Sequence, residues 1–72
     1  MEGMMKLLRV AFGGIEYRKD LMFDHPRRGL EKHDVVSWTG ERESAYKLNY
    51  LRVIHPEVGL IWVHESLLDG AF

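Results

Sequence analysis

Cysteine is absent from the 72 residues, which removes a disulfide framework, a thiolate metal site and a thiol nucleophile together. A chain this short buries only about 60% of the surface its unfolded form exposes. Secreted domains of that size commonly add disulfides to compensate, so the expectation is a reducing, cytoplasmic setting and a single core. Long apolar runs are also missing. The longest, Met4 to Phe12, is interrupted by Lys6 and Arg9 and falls far short of the roughly 20 residues that cross a bilayer. It does not read as a signal peptide either, because its cations lie inside the apolar stretch. No membrane is expected as a partner.

An excess of one charge sign is lacking too. Ten Lys and Arg stand against 11 Asp and Glu, with four His, for a net charge of −1. That balance argues against a protein that holds a phosphate backbone by bulk electrostatics. The distribution is uneven, with Lys6, Arg9, Arg18, Lys19, Arg27, Arg28 and Lys32 making the first 33 residues mildly basic and the remainder mildly acidic. No repeat, low-complexity tract or linker occurs, and the few Gly and Pro residues punctuate apolar runs. One domain over 1–72 is expected, with 1–4 as a loose tail.

What is present is a series of short apolar runs. Gly13-Gly14 between Lys6–Phe12 and Ile15–Phe23 predicts a hairpin, since both glycines tolerate φ > 0. In its second arm Ile15, Tyr17, Leu21 and Phe23 share one face. Asp24-His25-Pro26-Arg27-Arg28-Gly29 has turn chemistry and is expected as an exposed loop. Val35 to Thr39, β-branched and aromatic, predicts a strand ending at Gly40, with the polar residues 41–45 as a connection. From Tyr46 to Ile54 the alternation of Tyr46, Leu48 and Tyr50 with Lys47 and Asn49 favours a strand. A helix near residues 41–54, stopping before His55-Pro56, is the alternative and would make the fold α+β. His55 to Gly59 predicts a second hairpin turn, Leu60 to Val63 a strand, and Glu65 to Leu68 a short 3₁₀ turn.

This order resembles the SH3-like small barrels, all-β folds of about five short strands with a terminal 3₁₀ turn. Leu30-Glu31-Lys32-His33-Asp34-Val35-Val36 is similar to the turn into their second strand, written apolar, two polar or basic residues, Gly, Asp, apolar; His33 stands where the glycine is expected. Gly59 to Leu68 is similar to their fourth strand and 3₁₀ turn. The resemblance covers about the last 40 residues and is one of fold. It does not extend to proline-rich peptide binding, because Trp38 falls inside an apolar run and His64 occupies the place of the 3₁₀-turn proline. His55-Pro56 through Leu68 is also similar to the end of the small plasmid-type dihydrofolate reductases. Their catalytic strand reads Val-Gln-Ile-Tyr where this chain has Leu60-Ile61-Trp62-Val63, so the folate-orienting amide is missing.

His25, His33, His55 and His64 show none of the separations that place two ligands on one helix or strand face, and no metal or cofactor is expected. His25 and His55 each precede a proline and read as solvated turn residues. No nucleophile elbow, phosphate-cradling loop or metallopeptidase pattern occurs, so no catalytic residue is assigned and the expectation is a non-enzyme. What remains is binding. A protein partner or self-association is favoured, in an accessory or regulatory protein docking on a larger assembly. Trp38 and Trp62 are the candidate apolar anchors. An unpaired edge at Lys6–Phe12 would give a partner strand somewhere to add. The alternative is nucleic-acid binding through Arg18, Arg27, Arg28 and Lys32.

Overall fold

The computed structural model describes residues 6–11, 15–22 and 25–69. Among them the chain is all-β: β1 (Lys6–Val10), β2 (Ile15–Tyr17), β3 (Arg27–Leu30), β4 (Val35–Ala45), β5 (Leu48–His55), β6 (Gly59–His64), a 3₁₀ turn (Glu65–Leu67) and β7 (Leu68–Asp69). Five strands form an antiparallel sheet in the order β6-β5-β4-β1-β7, curled into a half-barrel, and β2 and β3 pair separately. The curl is closed along one seam, where Arg18 exchanges two backbone hydrogen bonds with Trp62, at 2.9 and 2.7 Å.

Strand alternation sorts the side chains. Leu8, Val36, Val53, Ile61 and Val63 point into the curl, where they meet Val10 and, from β3, Leu30. Full burial of each such side chain contributes about 1.5–3 kcal/mol. Tyr17, Trp38 and Leu67 close over this core from its margins. A second, smaller cluster of Leu21, Tyr50 and Trp62 sits on the opposite face of β5 and β6, covered by the segment after β2.

The sharpest bend is in β4. Between Trp38↔Val53 and Arg42↔Leu51 this strand advances four residues while β5 advances two, so extra backbone must loop out and the local twist increases. Gly40 supplies the left-handed step, with φ +96°. Polar groups freed by the bulge find new partners: the Trp38 indole N–H donates to the Glu41 carbonyl at 2.9 Å, and the Thr39 hydroxyl donates to the Arg52 carbonyl at 2.9 Å.

Strands at residues 48–55 and 59–64, the His55–Gly59 turn and the 3₁₀ turn match the sequence expectation, and the helix alternative for 41–54 is excluded. Several details differ. Gly40 marks a bulge rather than a strand end, so 41–45 continues β4. Tyr46 and Lys47 form the two-residue hairpin turn with φ +53° and +64°, although neither has the Asn or Gly that normally signals one. The Tyr46 hydroxyl donates to the Leu21 carbonyl, and the Arg18 guanidinium lies 4.3 Å from its ring centroid, so tertiary contacts hold a turn that local propensity does not. Arg27 to Gly29, expected in a loop, belongs to β3. Gly13-Gly14, Phe23, Asp24 and the 1–4 tail lie outside the described residues, but β1 and β2 do not pair with each other as the hairpin required. Along β1, β4 pairs Lys6–Arg9 on one side and β7 pairs Arg9 and Val10 on the other, so the expected unpaired edge is covered at its Arg9–Val10 end.

Candidate partner-binding surfaces

The residues before β4 show how one end of the half-barrel is tied together. Asp34 accepts two hydrogen bonds on the same oxygen, Oδ2: one from the Glu31 amide at 3.1 Å and one from His55 Nε2 at 2.8 Å. His55 is only 4% exposed, and its Nδ1 accepts the Glu57 and Val58 amides at 3.1 and 3.2 Å. An accepting Nδ1 places the ring proton on Nε2, so the imidazole donates to Asp34. Hydrogen bonding from His55, and secondarily from the Glu31 backbone, holds the Asp34 carboxyl below the usual carboxylate range. The solvated turn histidine of the sequence reading is therefore a buried tie between the β3–β4 and β5–β6 turns. Next to Asp34, His33 has φ +78°, in the left-handed region that favours glycine.

At the other end lies a groove of about 90 Å³. Tyr17, Pro26, Leu48, Tyr50 and Leu67 wall it, and Glu16, Arg18 and His64 stand at its margin. Register makes the back wall: Tyr50 pairs across the sheet with His64, their ring centroids 6.0 Å apart and tilted 48°. Leu48 lies two residues before Tyr50 and so on the same face, and 38% of it is exposed. His64 Nδ1 is 3.1 Å from the Ser66 hydroxyl, which ties the ring to the 3₁₀ turn. A larger, more polar cleft of about 380 Å³ opens between the segment after β2 and the far half of β4. Arg52 lies in it, 5.3 Å from the Trp62 ring centroid and paired with Glu41 at 3.2 Å.

The six residues singled out from sequence are distributed between these features. Arg18 stacks on Tyr46 at the groove margin. Arg28, exposed on β3, is 3.7 Å from Glu16 of β2. Arg27 is exposed beside it, opposite Tyr17, whereas Lys32 stands in the turn beyond Leu30. Trp38 is half-buried against the main core, and Trp62 is buried in the smaller one. Sequence reasoning missed Tyr17, Leu48, Tyr50 and His64 as a group. The alternation of Leu48 with Tyr50 was visible, but their convergence with His64 and Tyr17 depends on strand register. Compared with protein-family models, with curated proteins and with solved structures, the chain matches none of them.

Proposed function

We propose that this chain is a non-enzymatic protein-interaction module, built as an SH3-like small barrel, that seats one apolar side chain of a partner protein in the Tyr17–Tyr50 groove. The observation that carries the reading is the groove's composition and size. Tyrosine, proline and leucine walls offer the rigid apolar contact from which interface hot spots are made, and the volume of about 90 Å³ is well below the roughly 300–1,000 Å³ of small-molecule sites. Glu16 and Arg18 at the margin give a bound segment a direction. The barrel assignment is supported by the strand order, the left-handed His33 in the turn before β4, and the 3₁₀ turn ahead of β7.

The test is selection of random peptides against the folded protein, with the Leu48→Asp variant as counter-screen. Peptides that share an apolar anchor, shift the amides of Tyr17, Leu48 and Leu67, and lose binding to the variant are expected. Enriched peptides that bind Leu48→Asp equally well would refute the groove. The same spectra recorded with single-stranded DNA or RNA at low salt are expected to stay flat. Salt-sensitive shifts on Arg27 and Arg28 would replace the protein-binding reading with nucleic-acid binding.

A further inference from the structure

Hydrogen-bonding groups in the walls of the Tyr17–Tyr50 groove are left over after folding. Among the described residues, the hydroxyls of Tyr17 and Tyr50 and the Nε2 of His64 make no hydrogen bond within the protein, and none of the three is sealed from solvent. Tyr50 is the telling case. It is only 7% exposed, and a buried tyrosine normally bonds its hydroxyl, as Tyr46 does to the Leu21 carbonyl. Of the two clefts described above, only the groove is lined by Tyr50, so its hydroxyl meets solvent there. With Ser66 donating to His64 Nδ1 across 3.1 Å, the ring proton sits on Nε2 and all three leftover groups are donors. The Arg18 guanidinium stands at the same margin, 4.3 Å from the Tyr46 ring centroid. Glu16, the acid among the lining residues, is offset by Arg28 at 3.7 Å, so the margin favours an anion.

We propose that the groove takes the C-terminus of a partner chain, with an apolar last side chain between the walls and the terminal carboxylate on the Tyr17, Tyr50 and His64 donors beside Arg18. The inference rests on the protein-binding reading above and names its ligand. Capture of a terminal carboxylate is a recurring mode of peptide recognition. Two features select it here. A groove of about 90 Å³ seats one side chain, so only groups attached to that residue's own Cα lie against its walls. An internal residue offers one main-chain carbonyl there, whose two lone pairs cannot serve three donors and a guanidinium. A carboxylate has two oxygens with about four acceptor sites, carries the charge that the margin complements, and makes stronger, charge-assisted bonds. An Asp or Glu side chain supplies the same group but leaves nothing apolar on that residue for Pro26, Leu48 and Leu67 to cover.

Two libraries of random peptides test it, one displayed with free carboxyl ends and one embedded in a longer chain. Binders are expected from the first, with an apolar last residue. For a synthetic peptide so selected, amidation of the carboxylate should weaken binding at least about tenfold. Tyr50→Phe keeps the ring and deletes the hydroxyl; it should weaken the acid about fivefold and leave the amide unchanged, and Tyr17→Phe should do the same. Neither hydroxyl has a partner in the protein, so both variants are expected to keep the wild-type circular-dichroism spectrum. Leu48→Asp separates the two readings. If it abolishes binding while embedded or amidated peptides bind as tightly as the acid, the groove stands and the C-terminal inference falls; peptides indifferent to Leu48→Asp remove both. An empty selection from the free-end library, or phenylalanine variants that bind the acid as well as the wild type does, would also overturn the proposal.

Discussion

Replacing Asp34 by alanine is the most informative single perturbation of the fold. It strands the Nε2–H of His55, a ring 4% exposed, and releases the Glu31 amide. A hydrogen bond to a charged group contributes about 1.5–3 kcal/mol, and an unsatisfied buried donor costs about 1–3 kcal/mol. These overlap, because both describe the same bond, so the expected loss is about 3 kcal/mol with the more exposed Glu31 amide adding little. For 72 residues the whole stability is about 4–10 kcal/mol, and the melting temperature should fall by roughly 15 °C. Asp34→Asn is the control. Both native bonds end on one oxygen, so an amide oxygen there keeps them and loses only the charge, at a cost of about 1 kcal/mol. Because the folded carboxyl titrates below its unfolded value, its charge-linked stabilisation is complete above about pH 4 and is lost as the pH falls through the folded value. Urea unfolding of the three proteins between pH 3 and 7 measures both effects, with the acid-side slope shallower in the asparagine variant. Equal losses in Asp34→Ala and Asp34→Asn, or a loss under about 0.5 kcal/mol in the former, would refute the assigned network.

Two backbone substitutions test the left-handed positions. His33→Gly should stabilise by about 0.5–1 kcal/mol, since φ +78° strains a side-chain-bearing residue more than glycine's added unfolded-state freedom costs; chemical denaturation reads the difference. Gly59→Ala should destabilise by about 1–2 kcal/mol through φ +95° alone, because a Cβ there meets nothing within 4 Å. A loss well beyond that in the thermal midpoint would show that the β5–β6 turn has been displaced.

How much of this was legible in the sequence depended on the kind of signal. Gly59 and the apolar Leu60–Val63 run announced the second hairpin because local chemistry and tertiary structure agree there. At Tyr46-Lys47 they conflict: the turn is held by the Leu21 carbonyl and the Arg18 guanidinium, partners about 25 residues away in sequence, and no local rule anticipates them. Gly13-Gly14 predicts a hairpin for the first apolar run. Its actual neighbours, β4 and β7, are distant in the chain and leave no mark on composition. The candidate groove was hidden for the same reason. Tyr17, Leu48 and His64 come from three strands, and only the register of β5 on β6 and the Arg18–Trp62 bridge after β2 converge them. His33 is the opposite case: the resembled turn pattern has a glycine there, and the histidine in its place adopts φ +78°, a conformation its side chain resists.

The pairing of β1 with β7 also bears on how the chain comes off the ribosome. β1 is made first, yet the second of its two flanks is supplied by Leu68 and Asp69. Until those residues clear the exit tunnel, β1 presents one open side to other nascent chains. A stalled or truncated product ending before Leu68 would leave Arg9 and Val10 without the strand that pairs with them here.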